Sequence, residues 1–203
     1  MLKAARSGGG PLRVLDVGGT ANFWRPIMPS LEGMDVRITV LNLEPRSGAD
    51  DETFTYVVGD ACALEYEDNA FDIVVSNSVI EHVEDPAGVV TWRAQRRYAS
   101  EVRRVGKSFY VQAPYFWFPV EPHYRRLFFH WLPLPLQAWM LMNFDLRGGR
   151  KSGSLHDAYE RLDKHPRLPT FGDMKLLFPD ARIEREGFAL LTKSLTAIRL
   201  DAH

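Results

Sequence analysis

The chain has 203 residues, enough for one core that removes roughly 70% of the unfolded surface from water, and its net charge of -1 gives no bulk reason to expect nucleic acid or an acidic membrane as partner. Cys62 is the only cysteine, which excludes an intramolecular disulfide framework, suits a reducing, cytoplasmic setting, and after Asp60-Ala61 reads as packing rather than a nucleophile. No window reaches the ~18 apolar residues of a membrane-spanning helix, and the basic, Gly-rich start of the chain has no apolar core of signal-peptide length.

The first element is the apolar run Val14-Leu15-Asp16-Val17, which stops at Gly18-Gly19-Thr20-Ala21-Asn22. A run ending in an acid and two glycines reads as a buried parallel strand that turns into a loop a ligand can approach closely. Pro26 and Pro29 then interrupt the next segment, so a short, irregular helix is expected. A second apolar run, residues 38–43, ends at Asn42 and Glu44, and residues 45–52 read as a polar loop. The third, 54–58, ends in Gly59-Asp60-Ala61. After a turn over 65–70 comes the fourth, 71–75, which ends in Ser76-Asn77-Ser78.

Asp85-Pro86 offers a capping acid and a proline at a first helical position, so the reading predicts a helix from there through Val102, ending at Gly106. Its arginines, Arg93, Arg96, Arg97, Arg103 and Arg104, read as a solvated face. Residues 108–112 alternate as a fifth strand ending at Ala113-Pro114. From 115 to 149 aromatic residues and prolines crowd together, and the longest apolar stretch, 131–142, is broken by Pro133 and Pro135. Residues 146–154, Gly-rich and basic, are expected to be disordered. Thr170 to Phe178 reads as a short helix whose cap Asp173 completes. Residues 181–186 and 190–199 supply the last strands, with no internal repeat and no second domain.

Taken in order, the Asp16-x-Gly18 strand end, the Gly59-Asp60-Ala61 turn and the Phe71-Asp72-Ile73-Val74-Val75-Ser76-Asn77 segment running into Ile80-Glu81-His82-Val83 resemble the class I S-adenosylmethionine-dependent methyltransferases, in their type 11-like branch. The resemblance implies an α/β, Rossmann-like sheet of seven mostly parallel strands with helices on both faces and an antiparallel last strand. Residues 1–203 then form a single methyltransferase domain, with 114–156 as an inserted aromatic lid over an acceptor pocket. S-adenosylmethionine is the implied cofactor. By that resemblance Gly18, Gly19 and Thr20 approach its methionine and ribose portions, and Asp16 holds the amino group. Asn42, Leu43 or Glu44 meets the ribose hydroxyls, with Glu44 favoured because an amide offers one acceptor oxygen. Asp60 and Ala61 face the adenine, and Asn77 presents its backbone to the methionine amine. Gly18, Thr20 and Phe23 stand where a dinucleotide fingerprint needs three glycines, which disfavours a nicotinamide enzyme.

Methyl transfer is an in-line displacement, so positioning dominates. A base is needed only for a hydroxyl or protonated amine, and His82, His123 and Glu121 are the candidates. Around Ile80-Glu81-His82 the chain is also similar to small-RNA terminal ribose methyltransferases and ubiquinone-pathway O-methyltransferases, which bind a divalent cation through a Glu-x-x-Glu-His group and later histidines. Here Ser78 replaces the first acid, which leaves Glu81, His82 and His123. With that neutralising carboxylate lost, no metal is expected. The function expected is methylation of a small-molecule or lipid- or sugar-linked acceptor, at oxygen rather than nitrogen or carbon. The alternatives are a non-catalytic S-adenosylmethionine-binding module and a membrane-surface protein with residues 128–142 in the lipid interface. Peripheral membrane contact stays open, and the residues do not specify an oligomeric state.

Overall fold

The strand ends that carry the sequence motifs lie along one edge of a sheet. In the computed structural model, which describes residues 2, 10–45, 50–146, 150–188 and 190–201, β1 (Leu12–Val17), β2 (Val36–Asn42), β3 (Phe54–Val58), β4 (Phe71–Asn77) and β5 (Gly106–Pro114) are parallel neighbours. Two-residue strands β6 (Val120–Glu121) and β7 (Arg126–Leu127) form a separate ribbon. β8 (Arg182–Phe188) and β9 (Leu191–Arg199) form an antiparallel hairpin, and β9 also pairs antiparallel with β5. The main sheet has the order β3-β2-β1-β4-β5-β9-β8. Its order reverses between β1 and β4, and ligands of open α/β sheets bind at the carboxyl ends of the strands at such a switch.

Burial on both faces explains the near-continuous apolar character of the central strands. One face carries Leu15, Val74, Phe109, Val111, Leu195 and Ala197 against the helices Trp92–Val105 and Phe171–Leu177. The other face packs Leu12, Val14, Ile38, Val40 and Ile73 against Trp24 and Leu31. Trp24 closes a four-residue helix, α1 (Ala21–Trp24), and Leu31 a 3-10 turn, Met28–Leu31. That is the irregular helical segment expected from Pro26 and Pro29.

The helix expected from Asp85 starts later. Asp85 Oδ1 accepts from the N–H groups of Ala87 and Val89, so the acid closes a loop on itself, and Gly88 takes φ +76° within it. The helix, α2 (Trp92–Val105), begins instead at Thr91, whose hydroxyl accepts from Ala94 N–H at 3.1 Å. Two of its arginines are tied down: Arg103 pairs with Asp180 at 2.8 Å, and Arg104 with Glu101 and Asp68.

Residues 114–169 depart most from the sequence reading. Pro133 and Pro135 do not break the apolar stretch but start it, at the N-cap and first turn of α3 (Leu134–Asn143), where a proline costs no hydrogen bond. A helix the pattern did not suggest, α4 (Leu155–Asp163), is capped by the Ser154 hydroxyl. The two pack around Phe129, Ala138, Leu141, Leu146, Ala158 and Leu162, a small core distinct from both sheet faces. Of the stretch expected to be disordered, residues 147–149 lie outside the described residues, while Leu146 and Ser152 are buried. Beyond it, α5 (Phe171–Leu177) carries the expected reciprocal cap between Thr170 and Asp173.

Candidate active site

The turn after β1 is held open by two glycines for different reasons. Gly18 has φ +73°, which disfavours any side chain, and a Cβ there would sit 2.5 Å from Val79 Cγ2. A Cβ on Gly19 would lie 1.8 Å from Asp16 Oδ2, so this glycine exists to let the Asp16 carboxylate fold up beneath the loop. Asp16 is buried and accepts a 2.7 Å hydrogen bond from Trp24 Nε1. Burial pushes its carboxyl up to about 6, against the indole hydrogen bond that lowers it. Asn42 Nδ2 donates to Gly19 O at 3.2 Å, tying the end of β2 to the same loop. Thr20 is the N-cap of α1 without a side-chain hydrogen bond.

The structure therefore brings Asp16, Gly18, Gly19 and Asn42 together. Leu43 and Glu44 lie just past the end of β2, both exposed. Asp60 is exposed after β3, where its Oδ1 accepts from Cys62 N–H at 2.7 Å, and Ala61 beside it is buried. Cys62 itself is half-buried; burial, then the negative Asp60, pushes its thiol up to about 11, which makes it unreactive as a nucleophile. Asn77 is exposed at the end of β4, and the next residue, Ser78, is held at φ 55° by hydrogen bonds to Gln112.

The second group lies where the sheet rim meets residues 114–169. Glu81 and His82 sit on a 3-10 turn, Ile80–His82, just after β4. Glu121 and His123 sit on and after β6. His123 Nδ1 lies 2.7 Å from Glu121 Oε1, and its Nε2 lies 3.2 Å from His82 Nε2. Glu121 is fully buried, and its carboxylate also accepts from Tyr124 N–H. Burial alone would raise its pKa, but the hydrogen bonds from His123 and from the Tyr124 and His123 N–H groups leave it below the usual range. His82 is pushed down to about 4 by burial and then by the facing His123 and His165. Glu81 is fully buried with no hydrogen-bond partner for either carboxylate oxygen among the described residues, and burial pushes it up to about 7.

All three acid–base candidates named from the sequence thus meet in one cluster. The sequence reading missed His165, whose Nε2 lies 3.6 Å from Glu121 Oε1 and whose ring stacks on Tyr124. No local pattern marks it, since its partners lie far away in the chain. Alongside the cluster opens a cavity of about 940 Å³, lined by Asn77, Ser78, Gln112, Tyr115, Phe118 and Pro122 among others. The arrangement can pass a proton between His82 and the buried Glu121 carboxylate through His123.

Residues 15–108 match the family described as a methyltransferase domain. No curated protein sequence matches the chain. Among solved structures, a protein of Haloferax volcanii assigned as a methyltransferase, in complex with the Trm112 methyltransferase activator, superposes with a TM-score of 0.57 at 14% identity, over 98% of this chain and 87% of that one. One from Anabaena variabilis assigned as a methyltransferase from an antibiotic biosynthesis pathway gives 0.52 at 12%, over 89% and 59%. A Rhodobacter sphaeroides protein assigned as a Zn-dependent alcohol dehydrogenase also gives 0.52, at 14%, over 93% and 83%. At such identities these likenesses establish the fold. No helix among the described residues is long and apolar enough to cross a membrane. The strand order with its antiparallel β9 gives the chain the fold of a class I S-adenosylmethionine-dependent methyltransferase, and residues 15–108, from the glycine turn through β4, match a methyltransferase domain.

Proposed function

We propose that the chain methylates a hydroxyl of a small molecule or of a lipid- or sugar-linked acceptor, with residues 114–156 forming a lid over it. The observation that supports this most is the chain of contacts Glu121–His123–His82 beside the cavity that begins at Asn77 and Ser78. S-adenosylmethionine, when bound, supplies an electrophilic methyl group on a sulfonium. Asp16 suits its ammonium end: a buried carboxylate with no cation beside it among the described residues gains most from such a partner. Gly18, Gly19 and Thr20 would offer backbone to the methionine and ribose portions. Asn42, Leu43 or Glu44 would meet the ribose, Asp60 and Ala61 the adenine, and Asn77 the methionine amine.

The acceptor proton is the task of the histidines. Glu121 takes the Nδ1–H of His123, which leaves the lone pair of that ring on Nε2. Nε2, which faces His82 Nε2 at 3.2 Å, can then receive a hydroxyl proton passed through the His82 ring while the buried carboxylate stabilises the imidazolium that results. Glu121 acts through His123 and is a positioning residue. Exposed rings on residues 114–169 support an acceptor with an apolar portion: Phe128 and Trp117 both pack on Trp131, and Trp139 packs on Phe144. The same rings suit peripheral contact with a lipid surface.

Calorimetric titration with S-adenosylmethionine and its demethylated thioether, followed by transfer of labelled methyl into lipid and water-soluble extracts, tests the reading. The expected result is micromolar binding and label in the lipid fraction as a methyl ether or ester. Binding without turnover would leave a non-catalytic module, and label on nitrogen or carbon would overturn hydroxyl methylation. In an active enzyme, Glu121→Gln should shift the acidic limb of the kcat/KM profile rather than only lower its plateau.

A further inference from the structure

We propose that residues 127–144 dock on a lipid bilayer whose surface is negatively charged, which deepens the lipid contact proposed above by naming the kind of surface. No Asp, Glu, Lys or Arg occurs from Leu127 to Phe144, yet Leu127, Phe128, Trp131, Leu134, Leu136 and Trp139 are exposed. The helix α3 buries Gln137, Ala138 and Leu141 and leaves Leu134, Leu136 and Trp139 open to solvent. A surface helix ordinarily gives its outer face to polar side chains, and one that is apolar all round belongs in a core or against lipid. With 10 residues at ~1.5 Å each, α3 is about 15 Å long against the ~30 Å of a hydrocarbon layer, so it lies along the interface and cannot cross.

The flanks select the charge of the partner. Around the uncharged run, residues 122–154 carry Arg125, Arg126, Arg147, Arg150 and Lys151 against Asp145 alone, an asymmetry that the net charge of -1 conceals. Arg125, Arg126, Arg150 and Lys151 are exposed. Ser152 N–H donates to Leu141 O at 2.9 Å, which sets Arg150 and Lys151 beside α3, and Arg126 donates to Asp145 O at 3.4 Å, next to Phe144. Apolar rings at the acyl boundary with arginine and lysine among the headgroups hold a protein to an anionic membrane surface. A second copy of the chain is the poorer occupant, because a two-fold contact sets each patch on itself and brings the two cationic borders together. Trp117 packs on Trp131, and Phe118, the next residue, lines the cavity, so the docked face adjoins the space proposed for the acceptor. Entry of a bilayer-borne acceptor by that route rests on the function proposed above; the docking does not.

The test is flotation of the full-length protein with vesicles of phosphatidylcholine alone and of equimolar phosphatidylcholine and phosphatidylglycerol. The expected result is capture by the anionic vesicles, weakened by added salt, and little capture by the neutral ones. Leu136→Ser combined with Trp139→Ser should weaken capture by the anionic vesicles at least ~10-fold, and Arg150→Ala combined with Lys151→Ala ~30-fold, with Tm unchanged in both. Equal capture by the two vesicle types, capture by neither, or capture that survives both double substitutions overturns the proposal. A chain that dimerises through this face in sedimentation velocity and leaves vesicles alone overturns it in favour of a second copy. Calorimetric affinity for S-adenosylmethionine separates the two readings: capture without donor affinity keeps the docking and removes the methyltransferase, and donor affinity without capture does the reverse.

Discussion

The sheet rim and residues 114–169 meet at the histidines, yet they are built on different principles. The rim is made of short strands, the central ones buried by neighbours that come in regular order, and its shape comes from a few backbone-level constraints: Gly18, Gly19, and the Asn42 tie to the loop. Residues 114–169 close a small core around Phe129 and reach the body through discrete hydrogen bonds, such as Arg167 N–H to Glu81 O and Tyr115 N–H to Lys193 O. The difference teaches that, under the function proposed above, gripping a donor and choosing an acceptor would fall to parts that can fail separately.

The sharpest break in that comparison is Phe129→Ala. A fully buried ring in so small a core should cost ~3–5 kcal/mol of local stability. Limited proteolysis should then cut within residues 114–169, while calorimetric affinity for S-adenosylmethionine stays within about twofold. The converse is Gly19→Ala, whose Cβ must displace the Asp16 carboxylate. Donor affinity should fall ~100-fold, the order of effect of misplacing a positioned group by ~1 Å, with the proteolytic pattern unchanged.

Asp16 sharpens the rim further through pH. Its carboxyl ionises near 6 folded and near 3.8 unfolded, so the native state holds the extra proton between those values, and stability from this group is lost as pH rises through that window. Asp16→Asn should therefore raise the Tm of the ligand-free protein at pH 7 relative to its value at pH 4, compared with the unmutated chain. Donor affinity should behave oppositely. It should fall about tenfold per unit below pH 6 as the carboxylate takes a proton, and Asp16→Asn should flatten that slope at a low value. The smallest effect belongs to Thr170→Ala, which removes half of a reciprocal cap. Chemical denaturation should show ~1 kcal/mol lost with donor and acceptor kinetics unchanged.

The rim was legible in the sequence because strands there are local objects. Val14 to Val17, 54–58 and 71–75 announce themselves by composition and end in the turn residues that the structure confirms, and Thr170 with Asp173 spells its own cap. Asp85-Pro86 misled because an aspartate can satisfy N–H groups of a loop as well as those of a helix, and only the packing of Ala94, Tyr98 and Val102 shows where the helix starts. Residues 114–169 were opaque for a different reason. Prolines that look like breaks in the chain serve as a helix start when the core wants one, and α4 gains its place from Leu141 and Leu146 rather than from any strong local pattern. Glu121, His123 and His82 could be named individually, but their meeting with His165 is a product of topology alone.

Ser78, at φ 55°, stands at the hinge of these two worlds. It leaves β4 in a backbone shape that costs a non-glycine residue energy, and the Gln112 backbone and side chain hold it there. A bend of that kind turns the chain off the strand axis within a single residue, so Glu81 and His82 face across to the opposite segment instead of continuing past the sheet. One serine thus sets the angle at which His82 meets His123 across the junction, and relaxing it would misaim that contact.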